Sequence, residues 1–178
     1  MGKSYNMILA GFGGQGVLFA AKVLAYAGLI DGKEVSWLPS YGPEMRGGTA
    51  NCSVCISDEP IGSPLVTAPD VLIAMNLPSL DKFIDSVIPG GTVILDSSLI
   101  SKKVERTDVT ACYVDATSLA TEKGLKGLAN IILLGKLNAQ TEFCSSESLK
   151  KAVEKSVPPK KASLIESNFR ALDFGASL

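Results

Sequence analysis

The sequence predicts an α/β domain that has a mostly parallel but mixed sheet with helices on both faces. Short apolar runs alternate with helical patterns along the first two thirds of the chain. Residues 71–75 and 92–96 are almost continuously apolar, which is typical of strands in a sheet that is covered on both faces. The run at 49–56 follows the run at 33–38 without a helix between them, so we expect one antiparallel connection.

Each element has ordinary start and stop signals. Strands are predicted at residues 7–10, 33–38, 49–56, 71–75, 92–96 and 109–114. Helices are predicted at residues 17–29, 78–83, 116–122, 128–138, 146–155 and 159–172. Asp31-Gly32 ends the first helix, and Pro78 lies near the first position of the second helix. The 178 residues are expected to form one domain, 1–178, with a sizeable core.

Composition argues against several classes of function. A net charge of −1 gives no electrostatic case for binding nucleic acid or an anionic membrane. There is no uninterrupted run of about 20 apolar residues, and the first apolar run is too short for a signal peptide, so no membrane span or leader is expected. Four cysteines favour a reducing, cytoplasmic location over a disulfide scaffold. Histidine, the commonest general base and metal ligand, is absent from the sequence.

The stretch of residues 11–16, called the glycine turn below, lies between the first strand and the first helix. Its spacing fits G-x-G-x-x-G, which predicts a three-layer Rossmann-like domain. Unpaired N–H groups and the dipole at a helix N-terminus favour an anion. The residues proposed for that anion are Gly11, Gly13, Gly14, Gln15 and Gly16. The alternative is that the glycines only let strand and helix pack closely, without a ligand.

The second half of a dinucleotide site is missing. An acidic residue should end the next strand, roughly 20 residues further on, to hold a ribose hydroxyl. That strand instead ends in Trp37-Leu38-Pro39-Ser40, and Glu34 lies at its start. We therefore expect neither NAD nor NADP to bind tightly.

The first helix is apolar on almost every side. Between Val17 and Ile30 the only charged side chain is Lys22. A helix on the outside of a monomeric α/β domain should have one polar face. Two explanations are open: another element of the chain covers this helix, or another subunit does, as in a dimer through the helix.

Residues 39–48 predict an ordered loop, because they contain two prolines and three glycines. At the expected carboxyl edge of the sheet this loop carries Tyr41, Glu44 and Arg46. We expect these side chains to contact a partner subunit, since buried Tyr and Arg often dominate interfaces. The alternative is a solvated loop with an incidental pair between Glu44 and Arg46.

The spacing Cys52-x-x-Cys55 does not predict a metal site. Residues i and i+3 of a strand point to opposite faces, and a second cysteine pair is missing because Cys112 and Cys144 are single and far apart. We therefore expect buried thiols without a metal.

Several motifs together resemble the gamma subunit of 2-oxoacid:ferredoxin oxidoreductases, which also occurs as a fused domain in single-chain pyruvate enzymes. The matching stretches are residues 11–16, 41–48, 57–64, 76–80 and 130–135. The resemblance covers nearly the whole chain. The form of residues 37–44 is most similar to the 2-oxoglutarate and branched-chain versions.

This resemblance implies a complex that decarboxylates a 2-oxoacid, passes two electrons to ferredoxin and forms an acyl-CoA. It implies that alpha, beta and delta subunits carry thiamine diphosphate, magnesium and iron–sulfur clusters. This chain would contain no catalytic residue and no cofactor of its own, and would supply assembly surface. Its glycine turn would hold an anion or part of coenzyme A. The alternative is a stand-alone nucleotide-binding protein or NAD(P)-dependent oxidoreductase that uses the glycine turn.

Overall fold

The computed structural model describes residues 3–40 and 49–178. Its strands are β1 (Ser4–Phe12), β2 (Glu34–Ser40), β3 (Thr49–Ser57), β4 (Val71–Ala74), β5 (Thr92–Asp96) and β6 (Thr110–Val114). Its helices are α1 (Val17–Ile30), α2 (Leu77–Phe83), α3 (Ala116–Glu122), α4 (Ala129–Thr141), α5 (Ser146–Ser156) and α6 (Ile165–Ser177). Among the helices of these two ranges, none is long and apolar enough to cross a membrane.

All the predicted strands and helices are confirmed, with two differences. Pro39 and Ser40, predicted as the start of the loop, belong to β2 and pair with Cys52 and Asn51 of β3, because β2 is an edge strand and such a strand tolerates proline.

The second difference lies near the C-terminus. The stretch predicted as a single helix at 159–172 begins as a 3₁₀ helix, Pro159–Leu164, and α6 starts only at Ile165. Lys161 leaves helical geometry, with φ −118° and ψ 21°. Pro158 and Pro159 also offer no N–H groups to a regular helix at this point.

The strands form one sheet in the order β2-β3-β1-β4-β5-β6. β4 is parallel to β1, and β5 and β6 continue in the same direction. β3 is antiparallel to both β1 and β2, so the predicted mixed sheet is confirmed. The chain leaves β1 toward β2 on one side and later returns to β4 on the other. Such a reversal of strand order opens a crevice at the carboxyl ends of the strands, between β1 and β4.

The two faces of the sheet carry unequal layers. Met7 and Leu9 of β1 pack into a large core with α1 and α3–α6, whereas Ile8 and Ala10 pack into a smaller core with α2 and nearby loops. Helices on both faces are therefore confirmed, but among the described residues the second face carries only α2 and the short 3₁₀ helix Ile84–Ser86 that follows it. The helices that follow β1 and β4 lie on opposite faces, as expected where strand order reverses.

The outer side of α1 is covered by α5, so the first of the two explanations for its apolar surface accounts for most of the burial. Leu149 and Val153 of α5 belong to the same core as α1. Asp31, directly after α1, accepts hydrogen bonds from the N–H of Ser145 at 2.8 Å and from the hydroxyl of Ser148. Burial raises the pKa of Asp31, but these hydrogen bonds outweigh it and hold the pKa below its ordinary value.

Helices α4 and α6 touch through glycine. A Cβ on Gly135 would meet the carbonyl oxygen of Leu172, and a Cβ on Gly175 would meet the carbonyl oxygen of Ile132. The two backbones therefore approach as closely as they do because neither glycine has a side chain. This contact packs α6 against the large core, where Leu172 is buried.

Candidate functional site

The glycine turn closes the carboxyl end of β1, at the crevice where strand order reverses. Gly14 and Gly16 have φ values of +92° and +76°, in the left-handed region that glycine adopts without steric cost. The N–H of Gln15 donates to the carbonyl oxygen of Phe12 at 3.2 Å, which makes the turn tight. Helix α1 then begins at Val17, with Gly16 as its N-cap residue.

Gln15 joins β1 to the end of β4 across this crevice. Its Oε1 accepts a hydrogen bond from the N–H of Phe12 at 2.6 Å, and its Nε2 donates to the carbonyl oxygen of Met75 at 2.9 Å. A Cβ on Gly11 would lie 2.7 Å from that Oε1 and 2.9 Å from Cγ2 of Val17. Close packing therefore requires Gly11, and the amide of Gln15 holds the turn in place.

Asn130, the second residue of α4, packs against the other side of the glycine turn. Its Nδ2 donates to the carbonyl oxygen of Gly16 at 3.0 Å and occupies the position that a Cβ on Gly16 would need. Asn130 is buried, and its Oδ1 has no hydrogen-bond partner among the described residues. Gly16 is therefore also required by packing, across 114 residues of sequence.

The middle of the glycine turn is open, in contrast to its two ends. Gly13 and Gly14 are exposed, and a Cβ on Gly14 would meet nothing within 4 Å. The N–H groups of Gly13, Gly14 and Gly16 donate to no acceptor in residues 3–40 and 49–178. Helix α1 has neither a side-chain cap nor an acid in its first turn, and the same is true of α4. Free N–H groups at a helix N-terminus can hold an anion, so this part of the turn has the geometry for one.

Polar side chains across the crevice are used to fix the fold. Asn76, directly after β4, accepts a hydrogen bond from the N–H of Ser79 at 2.8 Å and so caps α2. The sequence offered a signal for this cap, since asparagine two residues before Pro78 is typical of a helix start. Nδ2 of Asn76 is buried and has no partner within the part of the chain that the structure describes.

Asp96, at the end of β5, is a fully buried acid that sequence reasoning did not single out. Its Oδ2 accepts from the hydroxyl of Thr117 at 2.5 Å, and its Oδ1 accepts from the N–H groups of Ser98 and Thr117 at 3.1 and 3.3 Å. The carboxylate therefore ties the end of β5 to the start of α3. An acid directly after an apolar strand was the available signal.

Glu34 and the end of β2 lie where the sequence predicted them. Glu34 pairs with Ser57 at the amino edge of the sheet, away from the glycine turn, and β2 ends at Ser40 without an acid. Tyr41, Glu44 and Arg46 lie outside the described residues, so their contact with a partner subunit stays a prediction.

Cys52 and Cys55 point to opposite faces of β3, as predicted: Cys52 lies in the large core and Cys55 in the smaller one. Burial raises the pKa of Cys52 to about 12, although a hydrogen bond from the backbone of Leu38 opposes the shift. Burial likewise raises the pKa of Cys144 to about 12. These thiols stay protonated near neutral pH, and a protonated thiol is a poor nucleophile and metal ligand.

Residues 6–178 match the pyruvate ferredoxin/flavodoxin oxidoreductase family. The chain is 43% identical over 169 residues to the ketoisovalerate oxidoreductase subunit VorA of Methanothermobacter thermautotrophicus. This alignment covers 94% of this chain and 35% of VorA. It is 43% identical over 153 residues to the 2-oxoglutarate synthase subunit KorC of Methanocaldococcus jannaschii. That alignment covers 84% of this chain and 82% of KorC. The chain thus spans about a third of VorA and most of KorC.

Two solved structures have the same fold. The gamma subunit of keto/oxoacid ferredoxin oxidoreductase from Geobacter sulfurreducens matches with a TM-score of 0.84 and 31% identity, over 97% of this chain and 96% of that one. The 2-oxoglutarate:ferredoxin oxidoreductase from Magnetococcus marinus, with 2-oxoglutarate, coenzyme A and succinyl-CoA bound, matches with a TM-score of 0.88. Its identity is 24%, over 98% of this chain and 31% of that one, so this likeness concerns the fold alone. The resemblance drawn from the motifs is confirmed: the chain belongs to the pyruvate ferredoxin/flavodoxin oxidoreductase family.

Proposed function

We propose that this chain is the gamma-type subunit of a 2-oxoacid:ferredoxin oxidoreductase, which converts a 2-oxoacid to an acyl-CoA and reduces ferredoxin. The observation that carries this proposal is the 43% identity to KorC over 84% of this chain and 82% of KorC. Relatives named for 2-oxoglutarate and for ketoisovalerate support these two substrates over pyruvate. The chain contributes assembly and ligand-binding surface rather than cofactor chemistry.

The cofactors of the reaction belong to the alpha, beta and delta subunits in this proposal. Thiamine diphosphate with magnesium supplies the decarboxylation chemistry, and iron–sulfur clusters carry the electrons to ferredoxin. The cysteines of this chain do not fit such a cluster, because Cys52 and Cys55 face opposite sides of the sheet. A cluster instead needs several thiolates around one centre. All four cysteines are free thiols, which supports a cytoplasmic location.

The proposal is tested by isolating the tagged chain from its native host. We expect the alpha, beta and delta subunits to be recovered with it, together with thiamine diphosphate and iron. The recovered complex should reduce an artificial electron acceptor when coenzyme A and 2-oxoglutarate or 2-oxoisovalerate are added, and more slowly with pyruvate. Recovery of the chain alone, with tight binding of NAD or NADP, would favour the stand-alone nucleotide-binding protein instead.

The open part of the glycine turn is proposed to hold an anionic group of coenzyme A. Gly14→Asp places a carboxylate and a Cβ into this space, so it should raise the dissociation constant of the assembled complex for coenzyme A by at least tenfold. Gly32→Asp is a matched control, since Gly32 also has a positive φ, +73°, and open space around it. If the Gly14 variant binds coenzyme A with unchanged affinity, the glycine turn serves only to let strand and helix pack closely.

The loop that carries Tyr41, Glu44 and Arg46 is proposed to contact a partner subunit. Arg46→Ala should leave the melting temperature of the isolated chain unchanged and weaken assembly, by about 30-fold if Arg46 is worth roughly 2 kcal/mol. Gel filtration of mixed subunits measures the assembly. A variant that assembles with parental affinity and full activity would make this loop ordinary surface.

A further inference from the structure

An apolar groove of about 450 Å³ lies between α1 and the edge strand β2, and we call it the α1–β2 groove. It is lined by Lys22, Ala25, Tyr26, Leu29, Val35 and Trp37. No residue of the glycine turn lines it. Helix α5 covers the rest of α1 but leaves this part open, since Leu29 is 52% exposed and Trp37 is 40% exposed.

The chemistry of this groove is that of a protein interface. Tyr and Trp are enriched among the residues that contribute most to binding, because each buries a large rigid ring and keeps a polar group at its edge. Here Tyr26 and Trp37 line the same groove as the exposed Leu29. Adjacent exposed apolar side chains of this size are a recognised mark of an interaction surface.

Two lysine side chains flank the groove. The ammonium groups of Lys22 and Lys155 lie 5.6 and 4.6 Å from the centre of the Tyr26 ring. Neither lysine forms an ion pair with a carboxylate in residues 3–40 and 49–178. Among the described residues, the lining contains no acidic side chain. The described part of the groove therefore has an apolar floor and two ammonium groups at its rim, and a carboxylate placed at this rim would be attracted to both of them.

We infer that the α1–β2 groove binds an amphipathic segment of another subunit whose apolar residues are flanked by Asp or Glu. A second copy of this chain fits poorly. A two-fold contact through the groove would bring Lys22 and Lys155 of both copies together, and like charges at an interface oppose association. The inference rests on the proposed function in one respect, that the segment belongs to a subunit of the same complex.

The apolar contact is tested with matched leucine variants in the reconstituted complex. Leu29→Ser should raise the dissociation constant of the chain for its partner subunits by about tenfold or more. Leu65→Ser is the control, because Leu65 is 62% exposed and lines a cavity elsewhere, near the smaller core. Melting temperatures of both variants should stay within a few degrees of the parental chain, since neither side chain is buried.

The charge is tested by reversal. The double variant Lys22→Glu/Lys155→Glu should weaken assembly, and the loss should shrink as salt concentration rises because salt screens charges at the rim. Lys82→Glu, on α2 across the sheet, is the matched control. Sedimentation of the isolated chain tests whether a second copy of this chain occupies the groove instead. A dimer that Leu29→Ser dissociates would overturn the inference in favour of a second copy.

A photo-crosslinking residue in place of Leu29 identifies the segment that occupies the groove in the assembled complex. We expect a peptide from another subunit with Asp or Glu within one helical turn of the linked residue. Crosslinking to a basic peptide would refute the proposed role of the groove while leaving the proposed function intact. So would leucine and lysine variants that both assemble with the affinity of the parental chain. If the parental chain assembles with no such subunits, the proposed function fails, and with it this partner.

Discussion

Two glycines of the glycine turn should respond very differently to alanine, although both have positive φ. Around Gly14 there is open space, so Gly14→Ala costs only the left-handed backbone, about 1 kcal/mol. At Gly16 the new methyl group must also displace the amide of Asn130. The overpacking adds about 1–3 kcal/mol, and the lost 3.0 Å hydrogen bond to the carbonyl oxygen of Gly16 adds about 1 kcal/mol.

We therefore expect Gly16→Ala to lower the free energy of unfolding by at least about 3 kcal/mol. In a domain of this size each kcal/mol shifts the melting temperature by roughly 2–4 °C, so Gly16→Ala should cost about 9 °C and Gly14→Ala about 3 °C. Urea unfolding followed by circular dichroism gives the free energies, and calorimetry gives the melting temperatures.

A double-mutant cycle isolates the contact between Gly16 and Asn130. Asn130→Ala removes the group that blocks the new methyl, so Gly16→Ala/Asn130→Ala should lose about 1–2 kcal/mol less than the sum of the single variants. Additivity within about 0.5 kcal/mol would refute this account of the close contact. So would a Gly14→Ala variant as unstable as Gly16→Ala.

Three further predictions concern the rest of the chain. Gly175→Ala should lower the free energy of unfolding by about 1–3 kcal/mol, because its methyl would collide with the backbone of α4. Gly62→Ala, in open space with ordinary φ, should change it by less than about 0.5 kcal/mol, and a smaller effect at Gly175 than at Gly62 would contradict the packing. The thiols of Cys52 and Cys144 should ionise near pH 12 in the native chain, against 9.0 for a free thiol, as measured by absorbance at 240 nm. Because folding raises both pKa values, the stability gained by burying the neutral thiols is complete below about pH 9 and is lost as the pH rises toward 12. Ionisation of these two thiols near pH 9 in the native chain would show that they are not buried. Calorimetric titration of the isolated chain with NAD or NADP should give no micromolar dissociation constant, since no acid ends β2, and a micromolar value would revive the dinucleotide site.

Local sequence patterns predicted the elements well because the signals of their ends are local. The predicted start of α1 at Val17 and the bounds of α3 at residues 116–122 agree with the structure. The antiparallel connection into β3 followed from the absence of a helix between two strands. Which helix covers α1 could not be predicted in this way, because the contact with α5 joins segments more than 100 residues apart.

The glycine turn marks the limit of prediction for the candidate site. Its pattern predicted either an anion site or close packing, and the structure divides the two by residue. Gly11 and Gly16 have packing neighbours, whereas Gly14 has open space. The pattern alone could not make this division, because the neighbour of Gly16 is Asn130, which is distant in sequence and has no periodic relation to the turn.

The covering of α1 by α5 has a consequence for how the chain is made. During synthesis α1 leaves the ribosome long before residues 146–156 exist. At roughly 5–20 residues per second, its apolar outer side stays uncovered for about 6–25 seconds. A nascent chain in this state exposes the apolar surface of α1, so chaperones should bind it until α5 emerges. Emergence of α5, rather than completion of the sheet, should therefore be the step that ends chaperone association.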